Sequence, residues 1–207
     1  MSQSVRDPTT LSASPAADTA QLLEAVRDAQ AGNERAFNTL FQHYNGQICS
    51  YLARMVGNDE EGRDLAQETF LKAWRTLSSM KDAAQFTPWL YRIATNTAID
   101  HLRRRKSRWP LWKKQETLDA YEQSSLVGPE EQIAESEHIT QALAQVSPHY
   151  RACVLLQLVA GFTQREIATS LNLSEKSISI YVSRGLEQLR QAYERLGKDQ
   201  DSRRSAQ

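Results

Sequence analysis

Large apolar side chains are almost absent from residues 1–18, a stretch dominated by Ser, Thr, Ala, Pro and Gln that predicts a disordered tail. From Ala20 onward the apolar positions take helical spacing. Phe37, Leu40, Phe41, Tyr44, Ile48, Leu52 and Met55 step by three or four residues and form one stripe of a long helix. A second helix is expected from Asn58, whose side chain can cap the first turn while Glu61 completes a capping-box-like pair. Its apolar face holds Leu65, Phe70, Ala73, Trp74 and Leu77. Thr87-Pro88 predicts a third start, with Thr as N-cap and Pro at the first helical position. That helix carries Leu90, Ile93, Ala94, Thr97 and Leu102 and runs into Arg103-Arg104-Arg105. No segment alternates as a strand does, so the expected class is all-α, with a small helical bundle over residues 19–105.

The middle of the chain changes character twice. Residues 103–114 (RRRKSRWPLWKK) hold seven Lys/Arg, two Trp and no acid; residues 115–137 then hold seven Asp/Glu and no base. This switch, with Pro110 and Gly128-Pro129, predicts a flexible linker over 106–129. Helical starts resume at Pro129, Ser147-Pro148, Thr163 and Ser174, giving a second helical domain over 130–196 and a polar tail over 197–207. Two small domains suit a chain of 207 residues with 40% hydrophobic side chains. The formal net charge of +0 argues against nucleic acid only if charge is spread evenly, and here it is not.

With only 8 Gly and 6 Pro, the chain has neither a phosphate-cradling Gly-rich loop nor a dinucleotide fingerprint. The longest apolar run, from Ala152 to Ala160, is far short of the ~20 residues that cross a bilayer, and no secretory h-region precedes it. Cys49 and Cys153 are expected as free thiols of a reduced, cytoplasmic protein. Four His and two Cys show no metal-ligand spacing, and no nucleophile triad or carboxylate pair is recognisable; neither metal nor cofactor is expected.

Three features carry candidate chemistry. Thr163-Gln164-Arg165-Glu166 reads as a capping box opening a short helix through Ile167, Ala168 and Leu171. A turn at Asn172-Leu173 leads to a longer helix capped by Ser174, the anatomy of a helix-turn-helix. Lys176, Ser177, Ser179, Tyr181 and Arg184 stand where base edges or phosphates are reached, although a structural helical hairpin has the same pattern. Before the linker, Phe86, Trp89, Arg92, Asn96 and Arg103 to Arg105 interleave aromatic faces with cations and amides. That mixture suits single-stranded nucleic acid, and equally a core aromatic pair beside a solvated helix end. Finally, Asp64, Gln67, Glu68 and Lys72 form a polar helix face that can dock a basic surface or simply face water.

In their order and spacing, Asp64-Leu-Ala-Gln67-Glu68-Thr-Phe70-Leu-Lys72-Ala73-Trp74, Trp89-Leu-Tyr91-Arg92-Ile-Ala94-Thr-Asn96 and Asp100-His-Leu-Arg103-Arg104, followed by the helix-turn-helix, resemble a bacterial RNA polymerase sigma factor of the extracytoplasmic-function (ECF) group. The resemblance implies that Asp64, Gln67, Glu68 and Lys72 dock on the β′ clamp helices of core RNA polymerase. It implies that the loop from Met80, with Phe86, captures a flipped base of the minus-ten element. Trp89, Arg92 and Asn96 then separate the strands, and Arg103, Arg104 and Arg105 hold the backbone. Lys176, Ser177, Ser179, Tyr181 and Arg184 would read the minus-thirty-five element, near a contact with the β flap. Extruding a base costs a few kcal/mol, which pocket and single-strand contacts can offset.

The family often has an aromatic where Met80 stands, and Arg or Lys where Ser179 and Tyr181 stand, which shifts the expected base and phosphate contacts. It also implies control by an anti-sigma factor, often membrane-bound, with the sigma factor itself not inserted in the membrane. The acidic linker (Glu116, Asp119, Glu122) is expected to thread a basic polymerase channel or to serve as a solvated spacer. The alternative reading is a stand-alone helix-turn-helix regulator, which binds duplex DNA without polymerase.

Overall fold

A computed structural model describes residues 15–108 and 130–204 as eight α-helices. The first domain holds α1 (Pro15–Gln30), α2 (Glu34–Val56), α3 (Asp59–Thr76) and α4 (Phe86–Arg108). The second holds α5 (Glu130–Gln145), α6 (Pro148–Leu158), α7 (Gln164–Leu171) and α8 (Glu175–Arg204). No strand occurs among the described residues.

Local chemistry sets most of the boundaries. Asn33 accepts from the backbone N–H groups of Arg35 and Ala36 to start α2, and Asn58 accepts from Glu61 to start α3. Gly57 closes α2 in the left-handed region at φ 80. The α2 stripe packs inward: Leu40, Ile48, Leu52 and Met55 are fully buried. Gly62 lets α3 approach closely, because a Cβ there would stand 2.6 Å from the backbone nitrogen of Ala53.

Four boundaries differ from those expected of the sequence. α1 begins at Pro15, inside the stretch read as a tail, and its later residues Leu22, Ala25, Val26 and Ala29 pack on the core. α4 begins at Phe86 rather than behind a Thr87 cap. A 3₁₀ turn, Ala83–Gln85, leads into it, and the Thr87 hydroxyl instead meets Tyr44 Oη at 2.8 Å. At the other end α8 continues to Arg204 through the segment read as a polar tail. α4 also runs on to Arg108, through the first three positions read as linker; the rest of the linker, 109–129, lies outside the described residues, as do 1–14 and 205–207.

Candidate nucleic-acid and polymerase interfaces

In the second domain, the Thr163 hydroxyl and the Glu166 carboxylate cap each other's backbone N–H groups at the start of α7. Asn172, in the left-handed region at φ 54, ends α7 and turns the chain into α8. Ile167, Ala168, Ile178 and Val182 bury the inner faces of the two helices. Gly185 brings α8 against α6, where a Cβ would meet Val154 Cγ2 at 2.6 Å. This is a helix-turn-helix whose second helix presents its opposite face to solvent. Lys176, Ser179 and Arg184 are exposed there, whereas Ser177 and Tyr181 are half-buried. The Tyr181 ring lies edge-on to Tyr150, 5.2 Å between centroids, and Arg184 Nη1 donates to Tyr150 Oη at 3.3 Å.

On α4, Trp89, Arg92 and Asn96 fall on one face by their i, i+3, i+7 spacing. Arg92 and Asn96 are exposed, and Trp89 is half-buried. Phe86 is 2% exposed, wedged between Tyr44 (5.4 Å) and Trp89 (5.8 Å). It therefore offers no face to a base and acts as the platform on which Trp89 rests, a correction to its expected DNA contact. Tyr91, on the opposite face of α4, is buried, and burial pushes its phenol up to about 12. Met80 is half-buried, with its carbonyl held by Gln30 Nε2 at 2.7 Å. Arg103, Arg104 and Arg105 are exposed at the end of α4; Arg103 lies 3.3 Å from Asp100 and Arg105 3.5 Å from Glu61.

On α3, Asp64 and Gln67 are exposed. Glu68 and Lys72 form an ion pair at 2.8 Å, and Lys72 Nζ also donates to Thr97 on α4 at 3.0 Å. Lys72 thus ties two helices together while half exposed. Alongside runs an apolar groove between α2 and α3, lined by Glu34, Phe37, Phe41, Gln67, Phe70, Leu71 and Trp74. Leu71 is 58% exposed at its edge. The sequence pattern passed over this groove because Phe37, Phe41 and Phe70 share the spacing of core residues; only the exposed Leu71 breaks that pattern.

Residues 40–108 match the family model described as Sigma-70 region 2, and residues 136–189 match Sigma-70, region 4. The ECF RNA polymerase sigma factor SigW of Bacillus subtilis is 31% identical over 173 residues, which span 80% of this chain and 92% of that protein. The chain belongs to the ECF RNA polymerase sigma factors. It is therefore a promoter-specificity subunit, which binds core RNA polymerase and promoter DNA.

The fold of this sigma factor is also that of two solved structures. CnrH of Cupriavidus metallidurans, in complex with the cytosolic domain of CnrY, matches with a TM-score of 0.63 at 21% identity, covering 82% of this chain and 94% of that one. The sigma factor RpoE of Bartonella quintana, in complex with the anti-sigma factor NepR, matches at 0.59 and 20% identity, covering 76% and 96%. No described helix of the sigma factor is long and apolar enough to cross a membrane, and no group of three or more His, Cys, Asp or Glu among the described residues could hold a metal ion.

Proposed function

We propose that this sigma factor divides its work among three helices within two units, about residues 19–105 and 130–196. The face of α3 with Asp64, Gln67, Glu68 and Lys72, together with the adjoining groove, docks on the β′ clamp helices of core polymerase. On α4, Trp89, Arg92 and Asn96 stack and hold the separated minus-ten strand, with Met80 in the base-capturing loop and Arg103, Arg104 and Arg105 on phosphates. On α8, Lys176, Ser179 and Arg184 contact the minus-thirty-five duplex; Ser177 and Tyr181 sit at the flank of that contact, and the β flap is touched nearby. The protein acts in the cytoplasm, catalyses no reaction of its own and needs no cofactor.

The observation that carries this reading is the solvent-facing line of Trp89, Arg92 and Asn96 on a helix whose other side is buried core. An indole, a guanidinium and an amide on one rigid face supply stacking, charge and hydrogen bonds at once, as single-stranded DNA requires; stacking contributes about 1–3 kcal/mol per base. The polymerase contact rests on the groove, where an exposed Leu71 beside four buried or half-buried aromatic rings offers an anchor site framed by carboxylate and amide groups.

Two solved neighbours were captured with CnrY and with the anti-sigma factor NepR, which supports an anti-sigma factor, membrane-bound or soluble, as the third partner. The test is assembly with sigma-free core polymerase. Leu71→Glu should abolish co-elution with core while leaving the helical spectrum intact. Unchanged co-elution would remove the groove from the polymerase interface.

A further inference from the structure

In the first three turns of α8, Lys176, Ser179, Ile180 and Ser183 are all exposed, and at 100° per residue they cluster on the side away from the buried Ile178 and Val182. Ile180 lies at one edge of that cluster, directly opposite the midpoint of Ile178 and Val182, and is 51% exposed. Of its neighbours on the helix surface, Ser177 and Ser183, three residues away on either side, are short, while Lys176 and Arg184, four residues away, are long and flexible. Helix-turn-helix proteins bring the N-terminal residues of this second helix against base edges in the major groove. An aliphatic side chain has neither donor nor acceptor with which to read the polar code there. The one apolar mark on a base edge in that groove is the 5-methyl group of thymine.

We propose that Ile180 is a specificity-determining residue of this sigma factor, reading the 5-methyl group of a thymine in the minus-thirty-five element. The proposal rests on the assignment of α8 to that element. Short serines on either side let the helix approach closely enough for methyl–methyl contact, and Lys176 supplies a phosphate contact at the helix start. Contact with DNA would also cover the exposed half of the isoleucine side chain.

The test uses holoenzyme reconstituted from the full chain and sigma-free core polymerase. A promoter pool randomised upstream of the start site is first enriched for bound sequences. Each thymine of the enriched upstream element is then replaced in turn by 2′-deoxyuridine, which removes only the methyl group. One replacement should weaken binding roughly fourfold, the worth of burying one such carbon. Ile180→Ser should lose sensitivity to that same replacement, and Ile180→Val, which keeps a branched apolar tip, should retain it. Indifference at every thymine, an element without thymine, or equal sensitivity in Ile180→Ser would overturn the assignment of Ile180. A pool that gives transcripts but no upstream enrichment would overturn the minus-thirty-five role of α8 itself, and Ile180 with it.

Discussion

Phe86 and Trp89 stand three residues apart on α4 and look equivalent in the sequence, yet one is interior and the other faces outward. Their difference predicts opposite failures. Phe86→Ala should lower the unfolding free energy by about 3–5 kcal/mol, the usual range for a buried ring, as measured by urea denaturation. Trp89→Ala, at a half-buried ring, should cost less, about 1–2 kcal/mol, and mainly weaken strand opening, followed by 2-aminopurine fluorescence in the minus-ten region with holoenzyme. The sequence pattern puts Trp89 on the helix and Phe86 just ahead of it. It cannot say which is covered, because that depends on Tyr44, which reaches Phe86 from a helix over 40 positions earlier in the chain. Tyr181 shows the same limit: its place on α8 was legible, but its lean against Tyr150 depends on how α6 packs.

Among elements, those governed by local chemistry were readable. The Thr163–Glu166 capping box, the Asn58 cap and the Asn172 turn all follow from side chains a few residues apart, and each is present. Boundaries governed by distant packing were not. The start of α4 moved to Phe86 because Thr87 is engaged by Tyr44, and α1 extends back to Pro15 while its apolar side packs on the bundle. Close helix approach is likewise invisible in a one-dimensional pattern. Gly62 reads as an unremarkable glycine in α3, but a Cβ would press on the backbone of Ala53, which cannot swing aside as a side chain can. Gly62→Ala should therefore destabilise the first domain by about 1–3 kcal/mol, although alanine is the better helix former. A shift of the urea midpoint to higher concentration would show that α2 and α3 separate freely, contrary to this packing.

Across the whole molecule, the two domains touch. Arg151, 3% exposed on α6, donates to the carbonyl of Met55 on α2 as well as to Ala144 at 2.6 Å and Val146 at 2.8 Å. Phe162, just before α7, packs edge-on against Tyr91 of α4 at 4.9 Å. The promoter elements assigned to α4 and α8 lie about 25 base pairs apart, on the order of 85 Å along the duplex. Engaging both at once requires these contacts to break. Phe162→Ala should therefore increase the radius of gyration in small-angle scattering while helix content stays constant; an unchanged radius would show that Phe162 does not hold the domains together. None of this docking was legible in the sequence, where the charge switch marks a linker and nothing marks what the domains do to each other.

The most direct test of the central claim is transcription in vitro by sigma-free core polymerase supplied with this protein and a pool of bacterial promoter fragments. The account predicts transcripts that depend on the protein and share an upstream motif, with only weak duplex binding by the protein alone. Absence of transcripts together with tight, sequence-specific duplex binding in the absence of polymerase would contradict it, and would describe a stand-alone regulator instead.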